Sequence, residues 1–126
     1  MFSADYSRGN RLFQFVHKIG KVQFVTVTPS ITTTTGVTKI NDGSPHLAIV
    51  VFDQSLSAAD GRVKIYVDGA LDVKSTTSIT LTGSMLAELG IACRNGVDTT
   101  LGLFSGSVDE AFFCNGALSA SDIATL

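Results

Sequence analysis

Three acids decide whether this chain could cut a glycosidic bond: Glu88 and Glu110, its only glutamates, and Asp109. That chemistry needs two carboxyls flanking one bond at a defined separation. Asp109 and Glu110 are consecutive, so in a regular strand they point to opposite faces and cannot work as an acid and base pair. His17 and His46 stand apart from one another, and each reads as a surface or satisfied group rather than a general base. Cys93 and Cys114 lie 21 residues apart with no CxxC spacing and no neighbouring histidine, so metal and redox motifs are both missing. They read as small apolar residues with free thiols, with a single disulfide left open for an oxidising compartment. Gly-x-Ser-x-Gly, HExxH, Gly-x-Gly-x-x-Gly and Walker sequences are likewise absent, so the expectation is a protein that is not an enzyme and needs no cofactor.

What remains is binding. Arg94, Asn95, Asp98 and Thr99, with Thr100, form the most polar long connection, with donors and acceptors suited to sugar hydroxyls or to a protein surface. A plain solvated loop is the alternative. Tyr6, Arg8 and Asn10 make a second cluster, against which stands a frayed terminus.

The elements that must carry these groups are strands. Of the 126 residues, 44% are hydrophobic and 16% charged, enough for one domain spanning 1–126 and too few for two. Val, Ile, Thr, Phe and Tyr dominate while Glu is nearly absent, which points to an all-β chain. Nine basic residues scattered singly under a net charge of −2 offer no face for nucleic acid. The longest apolar run, Leu47 to Phe52, is far short of the roughly 20 residues that span a bilayer, and Asp5, Arg8 and Arg11 interrupt any N-terminal signal sequence.

Arg11–His17 and Lys21–Thr28 read as a hairpin across Lys18, Ile19 and Gly20. Pro29–Lys39 reads as an edge strand, because proline cannot donate to a central ladder. After the turn residues Asn41 to Pro45, His46–Asp53 is apolar on both parities and belongs in the middle of a sandwich. In Arg62–Ser75, a three-residue loop ending in a left-handed Gly69 is expected to pair Ile65 with Leu71, Val63 with Val73 and Lys64 with Asp72. The neighbouring register would face Lys64 with Lys74, a like pair. Further strands are expected at Ser78–Thr82, Glu88–Arg94 and Phe104–Asn115. Ser119, with Asp122 three residues on and Leu118 placed to staple onto Ile123, predicts a short C-terminal helix.

In order, Ser44-Pro45-His46-Leu47-Ala48-Ile49-Val50-Val51-Phe52-Asp53, Val63-Lys64-Ile65-Tyr66-Val67-Asp68-Gly69, Phe104-Ser105-Gly106-Ser107-Val108-Asp109-Glu110-Ala111 and Ala117-Leu118-Ser119 with Ile123 and Leu126 resemble the laminin-G-like, concanavalin A-like lectin/glucanase superfamily over residues 10–126. The resemblance implies an antiparallel two-sheet β-sandwich of jelly-roll type. It also implies a non-catalytic, lectin-like module that binds carbohydrate or a protein surface as part of a larger surface, secreted or virus-particle protein. Some relatives use the aspartate matching Asp109 as a structural calcium ligand. Two departures stand out. Pro45 occupies the place where members carry tryptophan, and the chain has no tryptophan with which to stack a sugar. Members also begin with strands before the hairpin at Arg11; their expected absence here implies that a second copy covers the exposed sheet, making a homo-oligomer the alternative function.

Overall fold

A computed structural model describes residues 2–7, 10–26, 30–80, 89–91 and 106–126, with side-chain burial for 19–26, 30–80 and 106–126. The architecture is all-β: two antiparallel sheets and one short helix. The strands are β1 (Phe2–Ser7), β2 (Asn10–Lys18), β3 (Lys21–Thr26), β4 (Thr32–Lys39), β5 (Ala48–Phe52), β6 (Val63–Val67), β7 (Ala70–Lys74) and β8 (Leu89–Ile91), followed by helix α1 (Ala120–Ile123). One sheet has the order β4-β3-β2-β1-β8 and the other β5-β6-β7. β1 precedes the first hairpin and pairs with β2, which corrects the expectation that the chain starts without such a strand.

Alternation explains how the layers meet. Val22, Phe24 and Thr26 are buried on β3 while Lys21, Gln23 and Val25 are only half-buried, the period-2 pattern of a one-sided strand. Val22 packs with Ile65 and Val67, and Phe24 with Val63 and Ile79, so β3 and β6 meet face to face. Ile49 and Val51 point the other way, to Tyr66 and Ile123. The three-stranded sheet is therefore the middle of three layers, lying between the larger sheet and the C-terminal segment. β5 is apolar on both parities because both of its faces are covered, although it is an edge strand of its sheet.

Several boundaries differ from expectation. The first turn is Ile19-Gly20 alone, since Lys18 pairs directly with Lys21. β4 does form an edge. Residues 78–80 and 106–115 are not strands, which corrects the described parts of Ser78–Thr82 and Phe104–Asn115. A strand exists only through its ladder, and among the described residues neither segment is paired with a neighbouring strand.

The β6–β7 hairpin corrects the expected register. Val67 pairs with Ala70 and Tyr66 with Leu71, so the loop is the two residues Asp68-Gly69, at φ 51° and 79°. Gly69 is left-handed as expected, but the extra residue comes later. Asp72 stands out of the ladder, after which Ile65 faces Val73 and Lys64 faces Lys74. This bulge restores the parity that a two-residue loop would otherwise spoil, setting Ile65 and Val73 together in the core.

Ser119 caps α1 as predicted. Its side chain accepts from the Asp122 N–H, and Asp122 accepts in return from the Ser119 N–H. Ile123, fully buried, anchors that turn over Ile49, Val51 and Tyr66, with Leu118 beside it.

Candidate functional site

Two groups of ionisable side chains stand out, and they behave oppositely. The first is built on the turn before β5 and the β6–β7 turn. The positive φ of Asp68 brings its carboxylate back over the chain, where Oδ1 accepts from the Leu47 N–H at 2.9 Å and Oδ2 lies 2.8 Å from His46 Nδ1. His46 Nε2 lies 3.0 Å from Asp42 Oδ1, which also accepts from the Ser44 N–H at 2.8 Å. As imidazolium, His46 donates to both acids and satisfies both ring nitrogens.

Each partner's pKa follows from those bonds. His46 is raised above the usual histidine range, first by Asp68 and then by Asp42. Asp68 is held below the usual carboxylate range, first by His46 and then by the Leu47 N–H, and Asp42 likewise, first by the Ser44 N–H and then by His46. His46 retains 15% side-chain exposure, whereas the acids are about half exposed at 54% and 51%. The ring thus sits between two wet carboxylates on opposite edges, a geometry with no shared point for a metal. Nor do three His, Cys, Asp or Glu side chains form a metal-binding group anywhere among the described residues. With both nitrogens engaged, His46 is a clasp holding loop to hairpin and has no free nitrogen to act as a base.

Asp72 makes a second tie. Its Oδ2 accepts from the Val37 N–H at 2.7 Å, and its Oδ1 from the Thr38 N–H at 2.9 Å and the Thr38 hydroxyl at 2.6 Å. Partial burial opposes ionisation there, but these donors keep the carboxyl below its usual range. β4 is itself bulged at the contact, with Gly36, Val37 and Thr38 spanning the gap between the Gln23–Thr35 and Lys21–Lys39 pairs. A Cβ on Gly36 would fall 2.3 Å from Asp72 Oδ2, so glycine is required for the acid to reach the backbone.

The second group lines a groove of about 260 Å³ between the outer face of the three-stranded sheet and the C-terminal segment. Val51, Leu56 and Leu118 supply apolar lining, and Asp53, Arg62 and Lys64 supply charge. Asp53 Oδ1 accepts from the Ser55 hydroxyl at 2.6 Å and the Ser55 N–H at 2.9 Å, and these hydrogen bonds, the hydroxyl's foremost, lower its pKa. Arg62 donates from Nε to the Leu56 carbonyl at 2.7 Å and from Nη1 to the Ile79 carbonyl and the Thr80 hydroxyl at 3.1 and 3.0 Å. Ion pairs among the described residues are confined to His46, so no acid closes on Arg62, Lys64 or Lys74.

The polar residues singled out in the sequence, Arg94, Asn95, Asp98, Thr99 and Thr100, lie outside the described residues, as do Arg8, Glu88 and Cys93. For Tyr6 and Asn10 the backbone alone is described. Asp109 Oδ1 accepts from the adjacent Glu110 N–H at 2.9 Å; both residues are exposed, and neither lies on a sheet. Cys114 is exposed with a free thiol. The expectation that His46 is a satisfied group rather than a base agrees with this clasp, but the sequence did not name its acids. The Asp42–His46 spacing of four was visible, but the Asp68 contact required knowing that β5 and β6 pair.

No family model matches the chain, and no curated protein matches it. Among solved structures it is similar to an S-layer domain-containing protein (residues 221–444) from Clostridium thermocellum, with 20% identity and a TM-score of 0.53 over 84% of this chain. The chain spans about half of that structure, 51%. At this identity the likeness shows the fold alone: this is an all-β sandwich of two antiparallel sheets.

Proposed function

We propose that the chain is a non-catalytic, lectin-like recognition module of a larger surface protein, built on a jelly-roll-type sandwich. One observation carries this reading: the histidine clasp consumes its own chemistry, while the groove at the other end of the β5–β6 ladder leaves cations without an ion-pair partner among the described residues. A site of the first kind braces a scaffold, and one of the second kind receives a ligand. The surface-protein setting draws support from the S-layer neighbour. Binding of at least one glycan class on an array, with no hydrolysis of β-glucan, is the expected result. An array blank both with and without calcium, or hydrolysis surviving loss of both Glu88 and Glu110, would overturn it.

A second reading, assembly with further copies, is favoured by the outer side of β5. The bonds from the Asp68 N–H to Leu47 O and from the Asp53 N–H to Arg62 O fix which residues face β6. By alternation, Ala48, Val50 and Phe52 direct their backbone groups outward, where no strand pairs with them among the described residues. Light scattering after size exclusion tests this, and a monomer at micromolar concentration would remove it.

A further inference from the structure

The groove's charge is unbalanced in a way that points to a ligand. Lys64 and Lys74 stand directly opposite across β6 and β7, an arrangement that like charges disfavour. Arg62, two residues before Lys64, lines the same groove, and the stem of Lys74 lies against Gly61, another of its walls. Elsewhere Lys18, Lys21 and Lys39 stand in one row across β2, β3 and β4, with the Asp72 charge near Lys21. In the groove, Asp53 feels the charge of Lys64 without closing an ion pair, so among the described residues three cations share one acid beside an open space. Arg62 spends Nε and Nη1 on the protein, leaving its two Nη2 donors without an acceptor among the described residues.

We infer that this groove binds a carboxylate-bearing sugar unit of the uronate class, its carboxylate held by Lys64 and the Nη2 donors of Arg62. The inference rests on the recognition reading above and names its ligand class. Asp53 uses only Oδ1 on Ser55, so Oδ2 can accept from a ring hydroxyl, while Val51 and Leu118 offer apolar contact to the carbon skeleton. A volume of about 260 Å³ is just under the roughly 300–1,000 Å³ of drug-sized sites, which suits one sugar unit.

Titration of the full chain with glucuronate, glucose and acetate, followed by amide chemical shifts or calorimetry, tests the inference. Glucuronate is expected to bind about 10-fold tighter than either comparator at low salt, and the gap to narrow in about 0.5 M salt. Lys64→Gln should weaken glucuronate about 10-fold and Lys74→Gln a few-fold, neither lowering the urea midpoint, since each removes a like-charge repulsion. Equal binding of glucose and glucuronate, no glucuronate binding, or an unaffected Lys64→Gln variant would overturn the inference. Acetate binding as tightly as glucuronate would reduce the groove to a bare anion site and overturn the sugar assignment. Any of these results beside a positive neutral-glycan array would leave the recognition reading standing, so the two fail separately.

Discussion

The two hairpin turns at Ile19-Gly20 and Asp68-Gly69 share one backbone shape and have opposite energetics. In both, two consecutive residues have positive φ, 55° and 74° in the first and 51° and 79° in the second, the pattern that matches strand twist in a two-residue loop. Asp68 suits that conformation and uses it to reach Leu47 and His46. Ile19 is branched at Cβ, 82% exposed, and strained with no hydrogen bond from its side chain. A left-handed residue is thus a cost that only some side chains convert into a contact. Glycine follows in each case, and at Gly20 a Cβ would collide with the Asn41 side chain 2.2 Å away.

The largest effect should come from the other acid of the second hairpin. Asp72→Ala removes the acceptor of two backbone N–H groups and a hydroxyl and is expected to cost about 2–3 kcal/mol in urea unfolding. Near-parental stability would show that the two sheets do not depend on this tie. Next, Asp68→Ala should cost about 1–2 kcal/mol, because alanine neither favours positive φ nor accepts from Leu47. A loss no greater than that of a surface alanine would erase the distinction between the turns. Ile19→Asn should gain up to about 1 kcal/mol by relieving strain, read as a raised midpoint, and an unchanged midpoint would show the strain to be negligible.

The smallest effect is in pH dependence. Because His46 is raised in the folded state, its contribution is complete below the unfolded histidine pKa and fades as pH rises through the folded one. Asp42 and Asp68 are lowered, so theirs is present above the unfolded carboxylate pKa and fades as pH falls through the folded values. The clasp is therefore strongest between about pH 4 and pH 6.5. His46→Gln should flatten the decline in melting temperature as pH rises above about 6.5; a persisting slope would assign it to another group.

Local signals were legible in the sequence because they act over a few residues. The Ser119 cap and the left-handed Gly69 follow from side-chain reach and backbone sterics, and β4 is the edge expected, although Pro29, the ground for expecting it, lies outside the strand. The hairpin register failed for the converse reason: Asp72 leaves its ladder for donors 35 and 34 residues away, and no local pairing rule contains them. His46 is the satisfied group its sequence suggests, but its main partner was not legible because that acid lies 22 residues on, at a turn brought near by strand pairing. Phe104–Asn115 shows the limit of strand propensity, since its described residues carry the right side chains without a ladder.

The third layer hangs on little covalent length. Gly116 has open space around it, and just beyond it Leu118 and Ile123 seal Ile49, Val51 and Tyr66 from water. A protease nick at that glycine would cut the backbone joining the cover to the segment before it, leaving the packing of Leu118 and Ile123 to keep it on the sheet. Its departure would leave a greasy strip on the middle sheet, detectable as a rise in fluorescence from a dye that seeks such surfaces.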